Sequence, residues 1–190
     1  MMVGGHRMKN SEIKPYIVST TRSSASIDYA KVNKLGIVGI MLEAGYLYDA
    51  LHISQRNFQN PKLKEQTAAA DAANVPYGLY IYARARTVEE AKLEMAELAL
   101  VLFKYPPRLG VWLKLNLSSF KYINNDIMKT YYAALVNNGF KGQVGIQCTR
   151  KQLDQISWET FCSSWYLWLD EPLKDISQLP DNISPEMFII

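Results

Sequence analysis

The chain has 190 residues, of which 48% are hydrophobic and 21% are charged, and this is the composition of a folded protein with room for one hydrophobic core. The formal net charge is +3, and the 21 Lys and Arg residues are spread without any run of five. We therefore expect no nucleic-acid partner. No segment is long and apolar enough to predict a membrane span.

The sequence gives no sign of a metal site or a cofactor. Its two cysteines, Cys148 and Cys162, have no histidine or further cysteine near them, so a zinc set is not expected. No glycine-rich phosphate loop follows the first predicted strand, as a dinucleotide-binding fold would require. The first eleven residues lack the apolar segment of a signal peptide.

Residues 1–13 are predicted to be a flexible lead-in, and residues 14–190 a single domain. Short apolar runs typical of strands occupy residues 16–19, 37–42, 77–82, 111–117, 143–148, 165–169 and the end of the chain around 187–190. Segments with helical character lie between them, at residues 28–35, 61–74, 87–103, 125–138 and 151–161. Thr87 followed by Glu90 predicts a capping box. The alternation predicts an α/β fold with a parallel sheet, open or closed into a barrel, of about five strand–helix units followed by strands lacking helices.

Several short motifs occur in the order found in one known family. They are Ile-Asp-Tyr-Ala-Lys-Val at 27–32 with Gly-Ile at 36–37, Ala-Gly-Tyr at 44–46, Gly-Leu-Tyr-Ile-Tyr at 78–82, Thr-x-x-x-Ala-x-x-Glu at 87–94, Val-Trp-Leu at 111–113, Gly-Phe with Val-Gly-Ile between 139 and 146, and Trp168. Together they resemble the family 25 glycoside hydrolases, which are lysozymes. The resemblance covers roughly residues 14 to 172 and implies a TIM-barrel-like domain.

The resemblance does not extend to the catalytic carboxylates. Family 25 enzymes need acids at the barrel mouth to protonate the glycosidic oxygen and to stabilise the charge on the sugar ring. Their fourth strand reads Val-Trp-Leu-Asp-x-Glu, whereas this chain has Lys114 and Asn116 at the two acid positions. Ile17 stands where the first strand carries an aspartate. We therefore assign no catalytic residue.

Other acids are candidates if the chain is active. Glu43 follows the second strand, and Asp170 and Glu171 follow the sixth, so all three are expected near the mouth. The alternative, which we favour, is that Glu43 forms an ion pair with Lys114. An acid paired with a lysine has a lowered pKa, which is unsuitable for a general acid.

Four aromatic residues are candidates for a ligand groove, namely Tyr80, Tyr82, Trp112 and Trp168. Such rings stack on sugars, but for each of them we favour packing within the core, because strand side chains alternate between two buried layers.

The sequence thus predicts a catalytically inactive lysozyme-like domain that serves as a binding or structural module. The resemblance implies a phage or prophage virion component or a cell-wall-associated protein, located on the virion or outside the cell, or otherwise in the cytoplasm. Its expected partners are cell-wall glycan or other proteins of an assembly. The alternative is an active peptidoglycan or glycan hydrolase that uses re-sited carboxylates.

Overall fold

Seven strands and five helices make up the part of the chain that the computed structural model describes, residues 16–20, 27–34, 37–46, 59–115, 122–153, 165–169 and 188–189. The strands are β1 (Tyr16–Thr20), β2 (Ile37–Tyr46), β3 (Tyr77–Ala83), β4 (Val111–Leu115), β5 (Val144–Cys148), β6 (Tyr166–Leu169) and β7 (Phe188–Ile189). The helices are α1 (Tyr29–Lys34), α2 (Leu63–Ala72), α3 (Val88–Lys104), α4 (Asn125–Asn137) and α5 (Arg150–Leu153). Residues 154–161, predicted to continue the fifth helix, and the lead-in at 1–13 lie outside the described residues.

The strands form one sheet in the order β1-β2-β3-β4-β5-β6-β7, and every neighbouring pair is parallel. Each of the first five strands is followed by a helix, as parallel neighbours require, because the chain must return to the starting edge of the sheet. The fold is therefore α/β and TIM-barrel-like, as predicted. The connection between β6 and β7 lies outside the described residues.

Strand β2 is longer than predicted. The sequence predicts a strand that stops at residue 42, but pairing with β3 continues to Tyr46 across a register shift between Glu43 and Gly45. A bulge of this kind accommodates a residue that breaks the apolar pattern without ending the strand. The side-chain amide of Asn60 donates to the Glu43 carbonyl oxygen at 2.8 Å, and the Asn60 N–H donates to the Ala44 carbonyl at 2.9 Å. These bonds fix the end of β2.

Side chains of the central strands alternate between two buried layers, as the period of two requires. The layer beneath the helices holds the aliphatic residues, including Leu79, Leu113 and Ile146. The opposite layer is a separate cluster of Met41, Tyr80, Trp112 and Trp168, with Tyr82 and Leu109 packed against it. This second layer faces the interior of the barrel-like sheet.

Helix α3 begins at the predicted cap, with one difference in its hydrogen bonds. The Thr87 side chain accepts from the Glu90 N–H at 3.1 Å, which is half of a capping box. The Glu90 carboxylate, however, accepts from the N–H of Arg86 at 2.7 Å instead of returning to Thr87. The glutamate side chain is long enough to satisfy a donor one residue before the cap, so the bend into α3 is fixed from both sides.

Candidate functional site

The candidate site lies on the inner face of the sheet, towards the carboxyl ends of the strands. Strand register places Glu43, Tyr80, Trp112 and Gly145 side by side in one row across β2 to β5. Two residues further along the strands, a second row contains Tyr82, Lys114, Gln147 and Trp168. Because parallel strands end at the same edge, this second row is nearer the mouth, where TIM-barrel proteins carry their functional residues.

Three of the four predicted groove aromatics are buried against one another. Tyr80 and Trp112 are each 2% exposed and Trp168 is 8% exposed. The rings of Trp112 and Trp168 meet edge to face with centroids 6.2 Å apart, and the Trp112 indole N–H donates to the Leu109 carbonyl at 3.0 Å. These three rings therefore pack against one another in the inner layer of the sheet. Tyr82 is half-buried and has the most accessible ring of the four.

Lys114 is held over two tyrosine rings. Its Nζ atom lies 5.8 Å from the ring centroid of Tyr82 and 6.0 Å from that of Tyr80, within the range of cation–π attraction. The guanidinium carbon of Arg84 lies 5.8 Å from the same Tyr82 ring. Two cations thus flank one accessible tyrosine near the mouth of the sheet.

Glu43 lies one row deeper than Lys114, with β3 between their strands. Its side chain is 2% exposed, and the Tyr80 hydroxyl hydrogen-bonds Glu43 and Tyr82. Burial, followed by the Glu43 charge and by Tyr82, raises the pKa of Tyr80 well above its ordinary value. Tyr80 therefore stays protonated and acts as a hydrogen-bond donor. The Glu43–Lys114 ion pair remains a prediction.

The remaining predicted positions are only partly described. Ile17 lies in β1, where its backbone pairs with Gly39 of β2. Asn116, Asp170 and Glu171 lie outside the described residues. Within the described ranges, no group of three or more His, Cys, Asp or Glu residues is placed to hold a metal ion. None of the described helices has the length and apolar character needed to cross a bilayer.

Glu94 is a buried acid that was not among the predicted site residues. It is 4% exposed on α3, accepts a hydrogen bond from the Tyr131 hydroxyl of α4, and accepts from the Arg84 N–H at 3.4 Å. The Ala85 N–H donates to the Tyr131 oxygen at 3.3 Å. Burial raises the pKa of Glu94 to about 7, although the bonds from Tyr131 and Arg84 oppose the shift. Its signal in the sequence was the motif Thr-x-x-x-Ala-x-x-Glu, which ends at this residue.

Asn60 is a second buried polar residue without a predicted role. It is 1% exposed, and its amide donates to the Gln66 side chain at 3.1 Å as well as to the end of β2. Asn60 therefore ties the end of β2 to α2, as Glu94 ties the residues after β3 to α3 and α4.

The comparisons with known proteins agree with this architecture. The modular autolysin LytC of Streptococcus pneumoniae, solved in complex with a synthetic peptidoglycan ligand, matches with a TM-score of 0.68 and 15% identity over 88% of this chain and 40% of LytC. GHIP, a glycosyl hydrolase 25 of Streptococcus pneumoniae, matches with a TM-score of 0.61 and 17% identity over 81% of this chain and 68% of GHIP. A muramidase from Acremonium alcalophilum matches with a TM-score of 0.60 and 14% identity over 87% of this chain and 81% of the muramidase.

The chain therefore has the fold of the glycosyl hydrolase 25 muramidases and is structurally similar to cell-wall hydrolases and endolysins. It spans 55% of the CTP1L endolysin and 40% or less of LytC. No protein-family model matches the sequence, and no curated protein matches it significantly. At such low identities the likeness concerns the fold.

Proposed function

We propose that this chain is a lysozyme-like domain that binds cell-wall glycan without hydrolysing it. The observation that carries the proposal is the position of Lys114, which lies on the inner face of β4 over the rings of Tyr80 and Tyr82. The resemblance to the family places a catalytic acid at this position. The chain keeps a polar and aromatic surface at the mouth but has a cation where the chemistry requires an anion.

The electrostatics of glycoside hydrolysis oppose turnover at this site. The transition state resembles an oxocarbenium ion, so it is stabilised by a nearby carboxylate and destabilised by a nearby ammonium group. Loss of general acid catalysis alone costs about 10²–10⁴-fold in rate. Asn116 at the second acid position is neutral and cannot replace the proton donor. Both losses act on the same step.

Binding of glycan, in contrast, needs only the surface that remains. Tyr82 supplies a partly exposed aromatic ring near the mouth, and Lys114 and Arg84, which lie over that ring, supply hydrogen-bond donors for sugar hydroxyl or carboxylate groups. The peptidoglycan ligand bound by the structurally similar LytC supports cell-wall glycan as the class to test. A role as a structural part of a virion or other assembly is compatible with the same surface.

Two assays on purified peptidoglycan test the proposal. We expect no dye release from labelled peptidoglycan by the wild-type protein, and co-sedimentation of the protein with insoluble cell wall at low salt. Tyr82→Ala should reduce co-sedimentation at least tenfold. Tyr132→Ala is the matched control. Tyr132 is also half-buried, but it lies on α4 and stacks on Trp165, which precedes β6 at the amino end of that strand, away from the mouth.

Each contrary result has a definite meaning. Dye release by the wild-type protein that is lost in Glu43→Gln would establish the hydrolase alternative with a re-sited carboxylate. Absence of co-sedimentation, with far-ultraviolet circular dichroism confirming the fold, would contradict glycan binding and leave a structural role.

A further inference from the structure

Helix α3 carries an apolar stripe on the face opposite the barrel. Its buried face consists of residues that pack on the sheet and on α4, including Met95, Leu98 and Leu102. On the other face, Leu93 is 61% exposed, Leu100 is 69% exposed and Phe103 is 93% exposed. Isolated exposed apolar residues are ordinary, but a row of large ones on one helix face indicates an interaction surface.

The spacing of the stripe is that of a coiled-coil seam. Leu93, Ala96, Leu100 and Phe103 follow one another at intervals of three, four and three, so they occupy alternating a and d positions of a heptad. All four are exposed. A seam of this kind is complementary to a second helix with the same pattern, and α3 itself is such a helix.

We propose that the exposed face of α3 is the contact between two copies of this chain, with the two α3 helices side by side and parallel. The charged residues that flank the seam favour a second copy of α3 as the partner and a parallel orientation of the two helices. Lys92 occupies a g position and Glu97 the e position five residues later, which are the positions that face each other between parallel helices. A parallel pair therefore brings Lys92 of each copy to Glu97 of the other.

The antiparallel arrangement is less favourable on the same charges. With a positions facing d positions, Glu97 of one copy would lie beside Glu97 of the other. The attractive contact available to this arrangement joins Lys104 to Glu90, and the Glu90 carboxylate already accepts the Arg86 N–H at 2.7 Å. Lys92 forms an ion pair within its own helix, 3.9 Å from Glu89, with both side chains largely exposed. That exposed pair is weak and exchanges easily for an intermolecular one.

The size of the seam determines the strength of the dimer. Two heptads bury less than the roughly 1,200–2,000 Å² of a stable complex, so the dimer is expected to form reversibly with concentration. Because α3 is already folded on the barrel, association carries no cost of helix nucleation. This makes a short seam sufficient for a weak dimer.

Sedimentation velocity of the full chain, from low micromolar to near-millimolar concentration, tests the proposal. We expect the wild-type protein to shift from monomer to dimer, and Leu100→Glu and Phe103→Ser to stay monomeric across the range. Ala68→Glu, which adds the same charge at an exposed position of α2, should dimerise like the wild type. A wild-type protein that stays monomeric throughout, or a dimer that Leu100→Glu leaves intact, would overturn the proposal.

A charge exchange tests the direction of the helices. In the parallel pair, Lys92→Glu places two acids together and should weaken the dimer at least fivefold, whereas Lys92→Glu combined with Glu97→Lys should restore it. An antiparallel pair leaves Lys92 without an intermolecular acid, so the single variant would then dimerise normally and the parallel arrangement would be wrong.

Discussion

At the scale of single residues, Glu94 gives the clearest link between burial and a measurable property. Its carboxyl is enclosed by α3, by Tyr131 of α4 and by the backbone that follows β3. The bonds from Tyr131 and Arg84 favour the ionised form, yet burial outweighs them and the pKa rises from 4.5 to about 7. A residue that resembles a routine helix acid in the sequence is therefore a buried group that titrates near neutrality.

We predict that stability falls as pH rises through the interval between these two pKa values. Between pH 4.5 and about 7 the folded chain binds more protons at Glu94 than the unfolded chain does, so the free energy of unfolding decreases with pH. The full decrease is roughly 3 kcal/mol and is complete above the folded pKa. Glu94→Gln should remove it, since glutamine has no proton to lose.

Urea unfolding at a series of pH values provides the measurement. Glu89→Gln is the matched control, because Glu89 lies on the same helix with a 78% exposed side chain, and it should keep the wild-type dependence. Parallel curves for the wild type and Glu94→Gln would show that Glu94 does not titrate in this interval.

At the scale of elements, β4 and β5 fit together because one strand lacks a side chain where the other has an indole. Trp112 and Gly145 are register partners, and a Cβ atom on Gly145 would overlap the six-membered ring of Trp112. The ring cannot swing away freely, because its N–H is bonded to the Leu109 carbonyl. The inner layer of the sheet therefore depends on this glycine for space.

Gly145→Ala is expected to destabilise the fold by about 1–3 kcal/mol, the usual cost of overpacking a core. In the background of Trp112→Leu the same substitution should cost much less, because the leucine leaves the space that the new methyl group needs. A double-mutant cycle from urea unfolding measures this coupling. If the two changes in the free energy of unfolding are strictly additive, Gly145 is not required to make room for the Trp112 ring.

At the scale of the whole molecule, the proposed dimer has a consequence for the proposed glycan site. The crossover helices of a parallel α/β sheet run antiparallel to its strands, so two parallel α3 helices orient the carboxyl ends of both sheets in the same direction. Both mouths would then face one surface. A flat polymer such as the cell wall could engage the two sites together and gain avidity.

We therefore predict that Leu100→Glu weakens retention on insoluble cell wall at least tenfold at protein concentrations where the wild type is dimeric. Its affinity for a soluble peptidoglycan fragment, measured by isothermal titration calorimetry, should equal that of the wild type. Equal retention of both proteins on the insoluble wall would show that the two sites do not act together, and Ala68→Glu again serves as control.

Much of the fold was predictable from the sequence, because the periods of apolar residues decide which segments are strands and which are helices. Six of the predicted strands coincide with described strands over most of their length, and the Thr87 cap lies where its motif indicates. The end of β2 was not predictable, since Glu43 and Gly45 interrupt the apolar run and only pairing with β3 continues the strand. Register is a property of two strands and cannot be read from one.

For the candidate site, the sequence by itself determined which residue types occupy the positions that correspond to the family motif. Lys114 and Asn116 stand where the motif of the family that the sequence resembles has two acids, and the order of residues along the chain is enough to establish this. Only the tertiary structure decided what surrounds Lys114. Three features depend on how segments far apart in the chain pack together. They are the burial of Glu94, the two tyrosine rings beneath Lys114 and the exposure of Leu100. The loss of solvent around a side chain and its contacts with distant residues both arise from tertiary packing. A local sequence pattern therefore cannot predict them.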